Sequence, residues 1–418
     1  MPDLFLCGDV MTGRGVDQIL ASPGDPALRE PSISDARCYV RLAEQANGTI
    51  GAPVADTWPW GDALGVLDRL APDARIINLE TAVTSGGEFS AAKDIHYRMN
   101  PANVGCLTCA QPDVCSLANN HALDFGTAGL IDTLDTLAGA DLVTVGAGFD
   151  EASAWRPAVV GLADGGQLVV LAAGLSSSGV PPDWAAGHAR PGVAFLTAGS
   201  RAARADLARR VRAAREEHGG ILVVSLHSGP NWGYDVTTDE AALAHEVIEA
   251  GADLVHGHSS HHARPAEVYR HRLILYGCGD FIDDYEGIGG HQRYRADLRP
   301  MWFASLWPDG RLGGLRIAVM RARQMRLWPA SRSDAAWLAG ELTRVGRRFG
   351  TALDISADGT LQLRWRDLAQ VAERARDVRV AEREPGRGQP AWHDPGAHQQ
   401  LVGDLAERRP ERELRRRK

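Results

Sequence analysis

The chain has 418 residues, 44% of them hydrophobic, and a formal net charge of −8 at pH 7. That is enough apolar length for one large α/β domain with additions, or for two to three domains, and a negative chain without an interior basic stripe excludes a nucleic-acid surface. No apolar run is long enough to span a membrane, and Met1-Pro2-Asp3 leads straight into a strand-like run, so the expectation is a cytoplasmic protein with no transmembrane segment.

The elements follow in chain order. Leu4–Cys7 is a short apolar run that ends in Gly8-Asp9-Val10-Met11-Thr12-Gly13-Arg14, a glycine-punctuated turn with one carboxylate and one guanidinium. Arg75–Ile77 repeats the arrangement and ends in Asn78-Leu79-Glu80. Lys93 is the single lysine before the terminal Lys418, and it is expected to be a solvated loop residue. Arg98 follows in His96-Tyr97-Arg98-Met99; it suits either a bidentate contact to an anionic substrate group or a structural ion pair. Cys106-Leu107-Thr108-Cys109 has no partner pair, so helix-face packing is expected rather than a zinc site, and the six scattered cysteines fit reduced, mostly buried thiols. Val114–Leu117 then ends in Ala118-Asn119-Asn120-His121-Ala122-Leu123-Asp124.

Leu142–Gly148 and Leu168–Leu171 are strand-like runs with only small residues at their ends, which marks them as structural. Ile221–Leu226 delivers His227, followed by Gly229-Pro230-Asn231-Trp232-Gly233, where Trp232 either walls a pocket or packs. A helical pattern from Thr238 to Ala250 precedes Leu254-Val255, which opens onto His256-Gly257-His258-Ser259-Ser260-His261-His262. His258 and His261 are the candidate ligands of that group; His256 and His262 are expected to be solvated loop residues. Leu273–Tyr276 brings Gly279-Asp280-Phe281 to the same rim. Helical patterns at Thr127–Leu137 and Arg201–Glu217 lie between strands, as in α/β folds with largely parallel sheets. Later runs at Trp302–Leu306 and Leu315–Met320 suggest a second, more antiparallel sheet, and a helix is expected over Ser333–Phe349 with Ser333 and Asp334 at its start. A strand over Leu361–Trp365 closes the folded part. The domain expectation is 1–366, followed by a charged helical and partly disordered tail over 367–418.

Asp9, Glu80, Asn120, His121, His227, His258, His261 and Asp280 thus fall within a few residues of the ends of apolar runs that are far apart in sequence. In open α/β sheets the strand ends are where ligands bind. Oxygen and imidazole donors together suit Mn²⁺, Fe²⁺ or Zn²⁺, one or two per chain, and such ions promote hydrolysis.

The ordered motifs Gly8-Asp9-Val10-Met11-x-Gly13-Arg14, Asn78-Leu79-Glu80, Asn119-Asn120-His121-Ala122-Leu123-Asp124, His227 with Trp232-Gly233, Gly257-His258-x-x-His261 and Gly279-Asp280-Phe281 together resemble the CapA (PgsA-type) capsule and poly-γ-glutamate biosynthesis proteins, of the calcineurin-like metallophosphoesterase superfamily. The resemblance runs from about residue 3 to about 366. It implies a four-layer α/β/β/α sandwich with a metal centre at the strand ends. Carried over by position, Asp9, Glu80, Asn120, His227, His258 and His261 would be metal ligands, with Glu80 bridging. His121 would donate a proton to the leaving group or stabilise charge, and Arg14 would face the substrate. Met11 stands where the wider superfamily carries a histidine ligand, and Asp280 where CapA proteins commonly carry Asn; Asp280 is either a compensating ligand or base, or a strand-end cap. The expected function is a metal-dependent hydrolase acting on an amide, peptide-like or phosphoester bond of a small anionic or glutamyl-type substrate. The alternatives are a non-catalytic accessory protein of poly-γ-glutamate or capsule synthesis, a tailoring enzyme of peptide-like natural products, and a ligand-carrying protein. Oligomeric state stays open.

Overall fold

The computed structural model describes residues 1–366 apart from residue 92; the tail expected over 367–418 lies outside the described residues. Among them, two large sheets carry the fold. The first has ten strands. Its parallel half runs Asp280–Ile282, Asp3–Val10, Ala74–Leu79, Val114–Ser116 and Thr144–Val145. Its antiparallel half adds Leu298–Leu306 on the other side of Asp3–Val10, then Leu312–Ala322, Leu327–Pro329, Leu361–Trp365 and Thr351–Ile355. The second sheet has seven strands, with Phe195–Leu196, Gln167–Leu175, Ile221–His227, Leu254–His258 and Arg272–Leu275 in parallel order and Ala158–Gly161 and Ala266–Tyr269 added antiparallel.

Alternation along the strands makes this a four-layer sandwich. In a strand, successive side chains point to opposite faces. Leu4, Leu6, Ile76 and Val114 meet Val170, Val223, Leu254 and Leu275 in one apolar cluster between the sheets. Phe5, Cys7, Ile77 and Cys115 belong instead to a cluster with Val16, Ile19, Leu67, Leu130 and Leu134 from helices on the first sheet's outer face. Val169, Leu171, Val224 and Val255 pack with Leu207 and Val211 of the helix Arg201–His218 and with Leu243 and Val247 of Thr238–Glu249. Each such side chain contributes about 1.5–3 kcal/mol on leaving water, so the α/β/β/α layering is set by which face of each strand is apolar.

The late antiparallel strands therefore extend the first sheet, contrary to the expectation of a separate one. Apolar periodicity identifies a strand but not its partner. The run over Leu142–Gly148 is two short strands, Thr144–Val145 and Ala147–Gly148, separated by Gly146 at φ 88°. The helix expected from Ser333 spans Arg332–Gly346; Ser331 is its cap, with Asp334 closing a reciprocal capping box. No helix among the described residues is long and apolar enough to cross a membrane.

Candidate metal centre

The centre forms where the strand ends of both sheets face each other. Ile221–His227 and Leu254–His258 pair in register so that His227 lies beside His258 and Ser225 beside His256. All four project to the same face as Val223 and Leu254, into the space between the sheets. Asp9 reaches that space through a slip in pairing: Leu6 pairs with Ile76 but Asp9 with Asn78, three residues against two. A bulge at Cys7-Gly8 reverses the alternation, so Val10 joins the outer cluster while Asp9 turns inward beside Asn78. The bulge brings Gly8 against Gly279, where an added Cβ would lie 1.4 Å from the Gly279 carbonyl oxygen.

Two groups of donors result, both including Asp9. Asp9, His227 and His258 place ligand atoms within 4.8 Å of one another, and so do Asp9, His261 and Asp280. His227 Nδ1 lies 2.8 Å from His258 Nδ1, and His227 Nε2 is 2.9 Å from Asn120 Oδ1. Glu80 Oε1 is 3.8 Å from His227 Nε2 and 3.7 Å from His121 Nε2. Asn78 Nδ2 donates to Asp9 at 2.7 Å and to Glu80 at 3.2 Å, tying the two carboxylates together. His261 Nδ1 lies 2.9 Å from Asp280 Oδ1, and Arg299 Nη1 approaches the other Asp280 oxygen at 3.3 Å.

Burial, reinforced by the Asp280 carboxylate, lifts the Asp9 carboxyl to about 7. Burial with Asp9 and Asp280 lifts Glu80 as well. Burial also lowers His227 and His258, keeping their rings neutral. Burial opposes a charge on His261, yet the adjacent Asp280 holds that ring above its ordinary value. Buried carboxylates that crowd one another beside neutral imidazoles are the environment a divalent cation stabilises. The donor set therefore fits such an ion, with oxygen and nitrogen ligands but no thiolate.

His121 is buried, and its Nδ1 lies 2.6 Å from Asp124 Oδ2. Burial pushes the imidazole down to about 3, so the neutral ring donates Nδ1–H to Asp124 and turns the Nε2 lone pair toward Glu80. Lys93 overturns its expectation: its side chain is only 11% exposed and donates to Asp124 Oδ1 at 3.0 Å and to the Asn120 carbonyl. His256 and His262 are likewise not solvated. His256 is fully buried, its Nε2 2.7 Å from the Cys7 carbonyl oxygen, and His262 is buried, stacked on Tyr294 at 4.4 Å. The spacing His256-x-His258 carried the signal for the first, since residues two apart on a strand share a face. Arg299 had none; it opens a long apolar strand and sits in no motif.

A cavity of about 610 Å³ opens beside His261, with Arg14 and Trp232 on its walls. Arg14 is buried, and its guanidinium donates to Asp284, to Glu30 at 2.7 Å and to Tyr39 at 3.0 Å. Arg98 is not among the lining residues; its guanidinium lies 3.7 Å from the Phe125 ring centroid. All six cysteines are free, and Cys106 is packed in the outer core.

The model of the family described as bacterial capsule synthesis protein PGA_cap matches residues 3–285. The chain belongs to the PGA_cap family. A probable polyglutamine synthesis accessory protein of Mycobacterium tuberculosis is 49% identical over 362 residues, covering 86% of this chain and 95% of its own length. The PGA biosynthesis protein CapA of Bacillus subtilis is 31% identical over 209 residues, which is 50% of this chain and 52% of that protein. Among solved structures, a 5′-nucleotidase precursor from Thermus thermophilus overlays with a TM-score of 0.42 and 13% identity, over 82% of this chain and 59% of that one. The PGA_cap span includes both donor groups and ends at Tyr285, so Arg295, Arg299 and Arg321, which also line the cavity, lie beyond it.

Proposed function

We propose that this chain is a metal-dependent hydrolase of capsule or poly-γ-glutamate-type synthesis, acting on an amide, peptide-like or phosphoester bond of a small anionic substrate. The observation that carries the reading is the pair of buried donor groups joined through Asp9. Asp9, Glu80, Asn120, His227, His258 and His261 hold one or two ions of the Mn²⁺, Fe²⁺ or Zn²⁺ type, and Asp280 supplies an oxygen where Met11 offers no nitrogen. A bound ion there supplies Lewis acidity and makes water a nucleophile at neutral pH. His121, oriented by Asp124 and Lys93, moves a proton at Nε2. Trp232 bounds the site on the substrate side.

The test is metal per chain in protein purified without chelator, followed by turnover of γ-glutamyl amides and phosphoesters. His258→Ala and Asp9→Ala are each expected to lose metal and to lower turnover by at least about a hundredfold; a His258→Ala protein that keeps its turnover would falsify the hydrolase. A second reading, an accessory protein required by partners rather than for its own turnover, is favoured by the description of the Mycobacterium tuberculosis relative. The two separate in cells: an accessory role survives His258→Ala and a hydrolase does not.

A further inference from the structure

Each charged side chain lining the cavity beside His261 is matched within the protein. Arg14 is held by Glu30 and Asp284. Arg299 is matched in charge by Asp283 at 2.7 Å and Asp280 at 3.3 Å, although its Nε and Nη1 make no hydrogen bond. Arg295 pairs with Asp297 and Asp334, both at 2.8 Å, and Arg321 with Asp297 at 3.1 Å. The Glu286 carboxylate accepts from Asn47 at 2.6 Å and from the Gln324 amide at 2.7 Å. An anionic group entering this space would be stripped of water without meeting a cation that lacks a carboxylate beside it, and would compete with that carboxylate.

What the cavity does offer is aromatic surface next to the metal side. The Trp232 ring lies 5.3 Å from His261 as part of an aromatic stack, on His291 at 4.0 Å with 9° between planes and near-parallel to His262 at 6.0 Å, so an entering ring would extend that stack; Tyr285 stands edge-on to His261 at 5.3 Å. Tyr39 and Tyr97 complete the wall, but their faces are occupied by the Arg14 guanidinium at 3.9 and 4.4 Å. Planar groups gain most from such a shelf, and about 610 Å³ is drug-sized space.

We propose that this cavity receives an uncharged planar group, aryl or heterocyclic, carried by a ligand whose anionic reacting end lies at the Asp9 centre. The placement of the reacting end rests on the hydrolase reading; the cavity's preference does not. A chain of repeated carboxylates is thereby excluded from this space.

The experiment uses three probes with one phosphate end: methyl phosphate, phenyl phosphate and 4-carboxyphenyl phosphate, titrated calorimetrically into the Mn²⁺-loaded full chain. Phenyl phosphate is expected to bind about tenfold or more tighter than methyl phosphate, and the added carboxylate to cancel that gain. Trp232→Ala should bring phenyl phosphate to within about threefold of methyl phosphate with metal per chain unchanged, and Trp232→Phe should restore most of the difference. Equal binding of phenyl and methyl phosphate, or tighter binding of the carboxylated ring, overturns the proposal. Acetanilide and 4-carboxyacetanilide, followed by ligand-observed NMR on chelator-treated protein, report on the cavity alone. A Trp232-dependent preference for acetanilide together with equal binding of methyl and phenyl phosphate keeps the cavity assignment and removes the placement of the reacting end at the Asp9 centre, whereas no preference in either series removes the cavity assignment.

Discussion

In the proposed hydrolase Asp9 is the residue on which the chemistry turns, because both donor groups include it. Its carboxyl, lifted to about 7 by burial and by Asp280, keeps its proton in the metal-free chain to higher pH than an ordinary carboxylate. A cation must displace that proton, and those of Glu80 and His261, which are also held above their ordinary values, so affinity is expected to rise with pH through about 7, by at most about tenfold per pH unit per proton. His227 and His258 add nothing to this profile near neutrality, since burial has lowered them. Calorimetric titration of Mn²⁺ at pH 6 in buffers of different ionisation enthalpy should show proton release, and no release at pH 6 would count against Asp9 as the shared ligand. At this scale the sequence was informative about which candidate donors come together, because metal chemistry restricts donors to a few side chains. It was uninformative about the cation that accompanies them: Lys93 lies in an irregular segment whose burial depends on Asp124 and Asn120, contacts that no local pattern encodes.

Among the elements, the strand Asp3–Val10 depends on a departure from regularity. Without the bulge at Cys7-Gly8, Asp9 would share a face with Phe5 and point into the outer apolar core. The bulge requires a residue with no side chain, since the Gly279 carbonyl occupies the place of a Cβ and Gly279 itself has φ +83°. Gly8→Ala is therefore expected to cost several kcal/mol, roughly 3 or more, and to lower metal per chain. Denaturant unfolding with elemental analysis checks both, and a variant with native midpoint and native metal content would show that the two backbones can separate freely. Strand ends were legible because apolar runs stop where chemistry begins. The helix start at Thr238 was legible from its apolar pattern, whereas the capping box of Ser331 and Asp334 was not, and the expected start there fell at Ser333. The bulge was not, because Gly-Asp after an apolar run looks the same whether the carboxylate points in or out.

For the molecule as a whole, the layered fold was legible from strand–helix alternation together with the motif resemblance. The partnership of strands was not, since pairing between residues about 300 apart, such as Asp3 with Ser305, leaves no local trace. Within the described residues both sheets are complete by Trp365, where Leu361–Trp365 pairs with Thr351–Ile355. We propose that residues 1–366 form the folding unit: a chain ended at Arg366 should melt within a few degrees of the full chain and bind the same metal per chain, and a large fall in either would extend the domain. The second sheet is drawn entirely from residues 158–275, whereas the first is assembled from the segments on either side. His227 and His258 therefore belong to a central insert and Asp9, Glu80 and Asp280 to the flanks that embrace it. Neither polypeptide portion owns a centre by itself, so an ion captured there certifies that the two have found each other, as a clasp closes only when both ends of a strap are in hand.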